Sequence, residues 1–116
     1  MEVNGTELTM IRGDSEQITV SARLNDTQQT PVPFTAGDVV YFTVKTSTGT
    51  TQKTLQKAIS VFDELGKAEI QIDPEDTKEL ECRVYQYDVQ VNWSTGEVTT
   101  MIKPSKFTLA PEVTYE

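Results

Sequence analysis

The sequence predicts an all-β fold: an immunoglobulin-like β-sandwich of about seven antiparallel strands, with one short helical turn before the penultimate strand. Three observations predict it. Segments in which apolar and polar residues alternate recur along the chain, the period-two signature of a sheet with one solvated face. Val, Ile, Thr, Tyr and Phe, all frequent here, suit a pleated, half-buried surface. Clusters of Gly, Pro, Asn, Asp and Ser divide the alternating segments at the rhythm of a sandwich. A chain of this length buries roughly two-thirds of the surface its unfolded form exposes, so packing alone can hold it. The 116 residues read as one domain, 1–116, with no internal repeat or low-complexity segment.

The elements follow in order. Leu8, Met10 and Arg12 alternate with Thr9 and Ile11 as a first strand, and Gly13-Asp14-Ser15 closes it as a turn. Ile18, Val20, Ala22 and Leu24 share a face of the next strand, so the two segments form a hairpin or a corner between sheets. Residues 25–38 read as a loop, with Pro31 and Pro33 barred from a central ladder. Val40, Phe42 and Val44 form the dry face of a strong strand, and Gly49 centres the turn after it. Leu55 and Ile59 anchor a weaker strand, and Ala68, Ile70 and Ile72 the dry face of another.

"DPEDTKELE" breaks the alternation. Asp73 suits an N-cap, Pro74 the first helical position, and Glu75 and Asp76 the positive end of a helix dipole. A single helical turn follows, ending near Leu80, which is placed to plug the core. "CRVYQYDVQVNW" is then the longest and best strand, with Tyr85, Tyr87, Val89, Val91 and Trp93 on one face. Tyr85 is the candidate for a tyrosine corner, in which a phenol bonds backbone upstream. Ser94-Thr95-Gly96 turns the chain into "EVTTMIK", Pro104 interrupts or bulges it, and Phe107 and Leu109 continue the strand.

Composition excludes whole classes of function. Ten basic residues against 18 acidic give a net charge of −8, without the clustered cations that a duplex or an anionic membrane demands. No nucleic acid and no membrane partner is expected. The absence of His removes the commonest general base and metal ligand. Cys82 stands alone, so no intramolecular disulfide forms. Asp73, Glu75, Asp76, Glu79 and Glu81 crowd one segment, but capping and solvation account for them, and no metal or other cofactor is expected. No nucleophile–base signature is present, so no catalytic residue is expected and the chain reads as non-enzymatic. "MEVNGTELTM" lacks a basic region followed by an apolar run, so synthesis without a signal peptide is expected.

Arg12-Gly13-Asp14 spells a cell-adhesion tripeptide, yet it falls where a chain reversal is required. The expectation is a structural turn.

Four stretches, "LTMIRGDSEQITV", "FTAGDVVYFTVK", "GKAEIQIDPEDTKELECRVYQYDVQV" and "GEVTTMIKPSKFTLAPEVTY", carry a resemblance that spans nearly the whole chain. Together they resemble small proteins encoded among the tail genes of phages and prophages of Gram-positive bacteria. This sequence departs from the pattern at Glu81-Cys82, where a Gly is common in such proteins. On strand pattern alone the chain is also similar to the N-terminal domain of the baseplate upper protein of lactococcal phages. The resemblance implies an immunoglobulin-like structural protein of a tail or baseplate, made in a bacterial cytoplasm and incorporated in the virion. It implies contacts with other tail proteins or with itself, and no catalytic residue.

Exposed apolar or aromatic residues near loops are the expected contacts: Phe34, Trp93 and Tyr115. The alternative function is a module binding host-surface carbohydrate, with Trp93 as the stacking ring.

Overall fold

The structure is a computed structural model describing residues 2–23, 27–28, 30–50 and 52–113. Its strands are β1 (Glu2–Asn4), β2 (Glu7–Ile11), β3 (Glu16–Val20), β4 (Ala22–Arg23), β5 (Pro31–Val32), β6 (Val39–Lys45), β7 (Leu55–Ile59), β8 (Ala68–Ile72), β9 (Val84–Asn92) and β10 (Val98–Ala110). One helical turn, α1 (Pro74–Thr77), precedes β9. The fold is all-β and sandwich-like. A six-stranded sheet in the order β1-β2-β10-β9-β6-β7 is accompanied by the pair β3-β8 and the short pair β4-β5.

Alternation dictates which residues enter the core. Val40, Phe42 and Val44 of β6 and Tyr85, Tyr87, Val89 and Val91 of β9 face inward from the large sheet. Val20 of β3 and Ala68, Ile70 and Ile72 of β8 meet them from the small one. Every one of these is buried, and they form one contiguous cluster with Leu8, Met10, Phe107 and Leu109. Phe42, Tyr87 and Phe107 pack ring to ring at its centre, with centroids 5.5–6.3 Å apart.

The topology corrects the expectation in three places. Among the described residues there are ten strand segments rather than seven. The pairing is not wholly antiparallel, because β2 runs parallel to the end of β10, Leu8 opposite Phe107 through Ile11 opposite Ala110. The longest strand is β10, at 13 residues, and not β9. β10 continues through Pro104 by shifting register against β9 between Thr100 and Ser105, the bulge that proline was expected to impose.

β1 is an unforeseen strand, hairpinned onto β2. The Gly13 turn is a corner between sheets, since β2 and β3 lie in different ones. Pro31 does enter a strand, but only the two-residue β5, paired on one side with β4. Leu24 lies outside the described residues.

Candidate interaction site

Three loops meet at one end of the sandwich: residues 33–38 before β6, 60–67 between β7 and β8, and 93–97 between β9 and β10. A buried carboxylate joins two of them. Asp38 is 3% exposed. Its Oδ2 accepts the Thr35 N–H at 2.9 Å, and its Oδ1 accepts the Ser94 N–H at 2.8 Å. The N–H groups of Thr35 and Ser94, assisted by their side chains, outweigh burial and hold the Asp38 carboxyl below its ordinary value. A second clasp ties in the third loop, where the Phe34 N–H donates to the Gly66 carbonyl at 2.9 Å.

Aromatic rings fill the space behind these clasps. The Phe34 ring packs on Phe62 and Trp93, with centroids 5.2 and 5.6 Å away. Trp93 is half-buried and donates its indole N–H to Thr99 Oγ1 at 3.0 Å. Within the 60–67 loop, Asp63 Oδ1 accepts the N–H groups of Leu65 and Lys67, each at 2.9 Å. Two large apolar side chains of this loop stand in solvent: Leu65, within that turn, is 71% exposed, and Val61, ahead of it, 84%. Val32 and Pro33 border two hollows, one shared with Pro31 and Leu65 and the other with Trp93. These hollows measure about 260 and 370 Å³.

The structure thus brings Phe34 and Trp93 into direct contact, but it changes what each offers. Phe34 was expected to be exposed because it is an aromatic residue in the 25–38 loop. At 3% exposure it is a core residue, drawn inward by its backbone bond to Gly66 and by its two ring partners. Tyr115 lies outside the described residues. The exposed large apolar groups at this end include Val61 and Leu65 of the 60–67 loop and Val98 at the start of β10, none of which the sequence reading singled out as a contact. The signal was present in "VFDELG", where bulky Leu65 sits in a turn that needs no aliphatic and Val61 precedes it.

At the opposite end the Arg-Gly-Asp tripeptide is a built corner. Arg12 Nη2 donates to Glu112 Oε1 at 2.6 Å, and Nε lies 3.2 Å from each Glu112 oxygen. Arg12 Nη1 donates to the Leu80 carbonyl at 3.1 Å. Gly13, at φ +85°, donates its N–H to the buried hydroxyl of Thr77 at 2.8 Å. The arginine is committed to internal partners, and Asp14 alone of the three is exposed. The Tyr85 phenol donates to the Glu81 carbonyl at 2.6 Å, the upstream backbone bond expected of it. Asp73, Glu75, Asp76, Glu79 and Glu81 do not converge, and among the described residues no three His, Cys, Asp or Glu side chains are placed to hold a metal ion. Asp76 serves the helical turn, accepting the Asp73 N–H at 2.7 Å and pairing with Lys57 at 2.8 Å.

No protein-family model matches the chain, and no curated protein matches its sequence.

Proposed function

We propose that this chain is a non-enzymatic interaction protein whose contacts centre on the loop end built around Asp38, Phe34 and Trp93. The observation that carries the reading is the exposure of Val61 and Leu65 on the 60–67 loop, where Leu65 shares a hollow with Pro31, Val32 and Pro33. Large aliphatics that stand exposed on a loop gain free energy only when something covers them. The clasps beneath keep the surface rigid, so little ordering entropy is lost on binding.

The finer fold reading is an immunoglobulin-like sandwich. The neighbouring strands β6, β9 and β10 against the β3–β8 pair, and the phenol bond from Tyr85 to Glu81, support it. Together with the resemblance to phage and prophage tail proteins, this favours a component of a tail or baseplate, meeting other proteins of that particle or further copies of itself.

The carbohydrate reading has less support. A stacking platform needs a free aromatic face, and Trp93 is half-buried against Phe34 with its N–H already donated. A pull-down decides between the two readings. The wild-type chain should retain a tail or baseplate protein encoded beside it, and a Val61→Asp, Leu65→Asp double variant should not. Retention of a glycan instead, lost on Trp93→Ala, would replace this reading with the carbohydrate one.

A further inference from the structure

A hollow of about 100 Å³ opens on the outer face of the large sheet, at the end of β6 away from Asp38. Where β6 lies beside β9, alternation turns Val44 and Tyr87 into the core and leaves Thr43, Lys45, Gln86 and Asp88 on the solvent side. Thr43 stands opposite Asp88 and Lys45 opposite Gln86, so the four side chains form a block of two neighbouring cross-strand pairs. All four are half-buried. Ser47 and Thr48 of the loop after β6, and Pro104 at the bulge of β10, complete the accessible lining. Tyr87 closes the bottom but is buried and presents no surface to a ligand.

The polar groups around this hollow are underused. Asp88 makes no hydrogen bond and no ion pair among the described residues. Burial raises its carboxyl above the ordinary value, and the attraction of Lys45 does not cancel that. Lys45 sits diagonally across the two strands, roughly 7–8 Å away at the backbone, and no ion pair joins the two side chains. The Gln86 amide and the Ser47 and Thr48 hydroxyls also lack side-chain hydrogen bonds among the described residues. Thr43 Oγ1 accepts from Gln56 Nε2 at 3.0 Å and keeps its own proton to donate.

Charge narrows the ligand. An anion in the hollow meets the Asp88 carboxylate, and a cation meets the Lys45 ammonium, so a net ion loses at one group what it gains at the other. A neutral molecule rich in hydroxyls has no such conflict. Each hydroxyl both donates and accepts, so it can accept from Lys45 and the Gln86 NH₂ and donate to Asp88 and the Gln86 carbonyl. Hydrogen bonds to the two charged groups are the stronger kind. Pro104 is exposed and offers an apolar surface to the C–H face of a sugar ring. We propose that this hollow binds one sugar unit of a saccharide through Asp88, Lys45 and Gln86. The next outward pair, Tyr41 opposite Gln90, continues the face with a half-buried ring and an amide, where an adjoining unit rests. This site lies apart from the loop end, does not depend on the interaction reading, and makes no use of Trp93.

The test is an NMR titration of the whole isotope-labelled chain with the methyl glycosides of glucose, galactose, N-acetylglucosamine and rhamnose. At least one should shift the amide signals of residues 45–48 and 86–88 and leave the Trp93 indole N–H unmoved. Asp88→Asn and Lys45→Met should each weaken that glycoside by about tenfold. A gain in affinity in either variant overturns the proposal, because an ion is then the ligand and the variant has removed its repulsion. So does the absence of shifts with all the glycosides, a set of shifts centred on Trp93, or shifts at this hollow from glycine or inorganic phosphate that the glycosides do not produce. The shift map comes from wild-type protein, so misfolding of a variant cannot mimic it. Val61→Asp with Leu65→Asp should leave glycoside binding unchanged, so either surface can fail alone.

Discussion

Arg12 and Glu112, one at the first corner and the other just beyond the last strand, are joined by a two-pronged guanidinium–carboxylate pair with a closest approach of 2.6 Å. The pair locks the parallel contact of β2 with β10, where the Arg12 N–H also donates to the Ala110 carbonyl at 2.8 Å. Arg12→Lys should lower the melting temperature, because a lysine cannot supply the planar fork. Asp14→Ala should leave it unchanged. A cell-attachment assay should show no dependence on either residue, since the adhesion word is spent on the corner.

Acid sensitivity should trace to Asp38. Its carboxyl is held below its ordinary 3.8 by the backbone N–H groups of Thr35 and Ser94. A depressed folded-state value contributes stability that is fully present above 3.8 and is lost as pH falls through the folded value. Asp76 and Glu112 are shifted the same way: at Asp76 desolvation is the largest single influence and raises the value, but Lys57 and the Asp73 N–H together outweigh it, and at Glu112 the hydrogen bond from Arg12 is the chief cause. Denaturant melts of wild type and Asp38→Asn, measured from neutral pH downward, should show a shallower acid loss in the variant. Asp38→Asn should also be less stable at neutral pH, because an amide NH₂ must face one of the two N–H donors.

Tyr85→Phe removes one phenol while keeping the ring, and with it the bond to the Glu81 carbonyl. It should cost about 1 kcal/mol by denaturant unfolding. An unchanged midpoint would mean that the corner bond adds nothing to stability.

Gly66→Ala should be among the most damaging small substitutions. At φ +73° a side chain is already strained, and its Cβ would lie 2.3 Å from Pro33 Cβ. A loss of about 2–4 kcal/mol is expected, with the Phe34 clasp opening and tryptophan fluorescence shifting as Trp93 loses its partner. Phe34→Ala should cost a similar 3–5 kcal/mol, roughly the value for a buried aromatic, which makes it a poor probe of binding.

Much of this was written locally in the sequence. β6, β8 and β9 alternate so cleanly that their dry faces could be named residue by residue, and Asp73-Pro74 announces the helical turn. What was not legible is non-local. Nothing near Leu8 says that it will lie opposite Phe107 in a parallel ladder, because pairing partners about a hundred residues apart leave no periodic trace. β1 is too short for alternation to register. Phe34 was misplaced because loop membership usually means exposure, whereas a backbone bond to Gly66 and two aromatic neighbours made it core. Leu65 was hidden by the same habit in reverse, because "FDELG" reads as a turn and turns are read as polar, while Val61 falls between that turn and the β7 pattern, where no periodicity marks it.

The interaction reading is tested most directly by asking whether the chain is part of an assembled particle. Tails purified from the host phage should contain it, and cross-linking should join the 60–67 loop to a neighbouring tail or baseplate protein. Val61→Asp with Leu65→Asp should abolish incorporation while leaving the folded monomer's stability within about 0.5 kcal/mol of wild type. Particles that lack the chain, or that incorporate the double variant as readily as the wild type, would contradict the account.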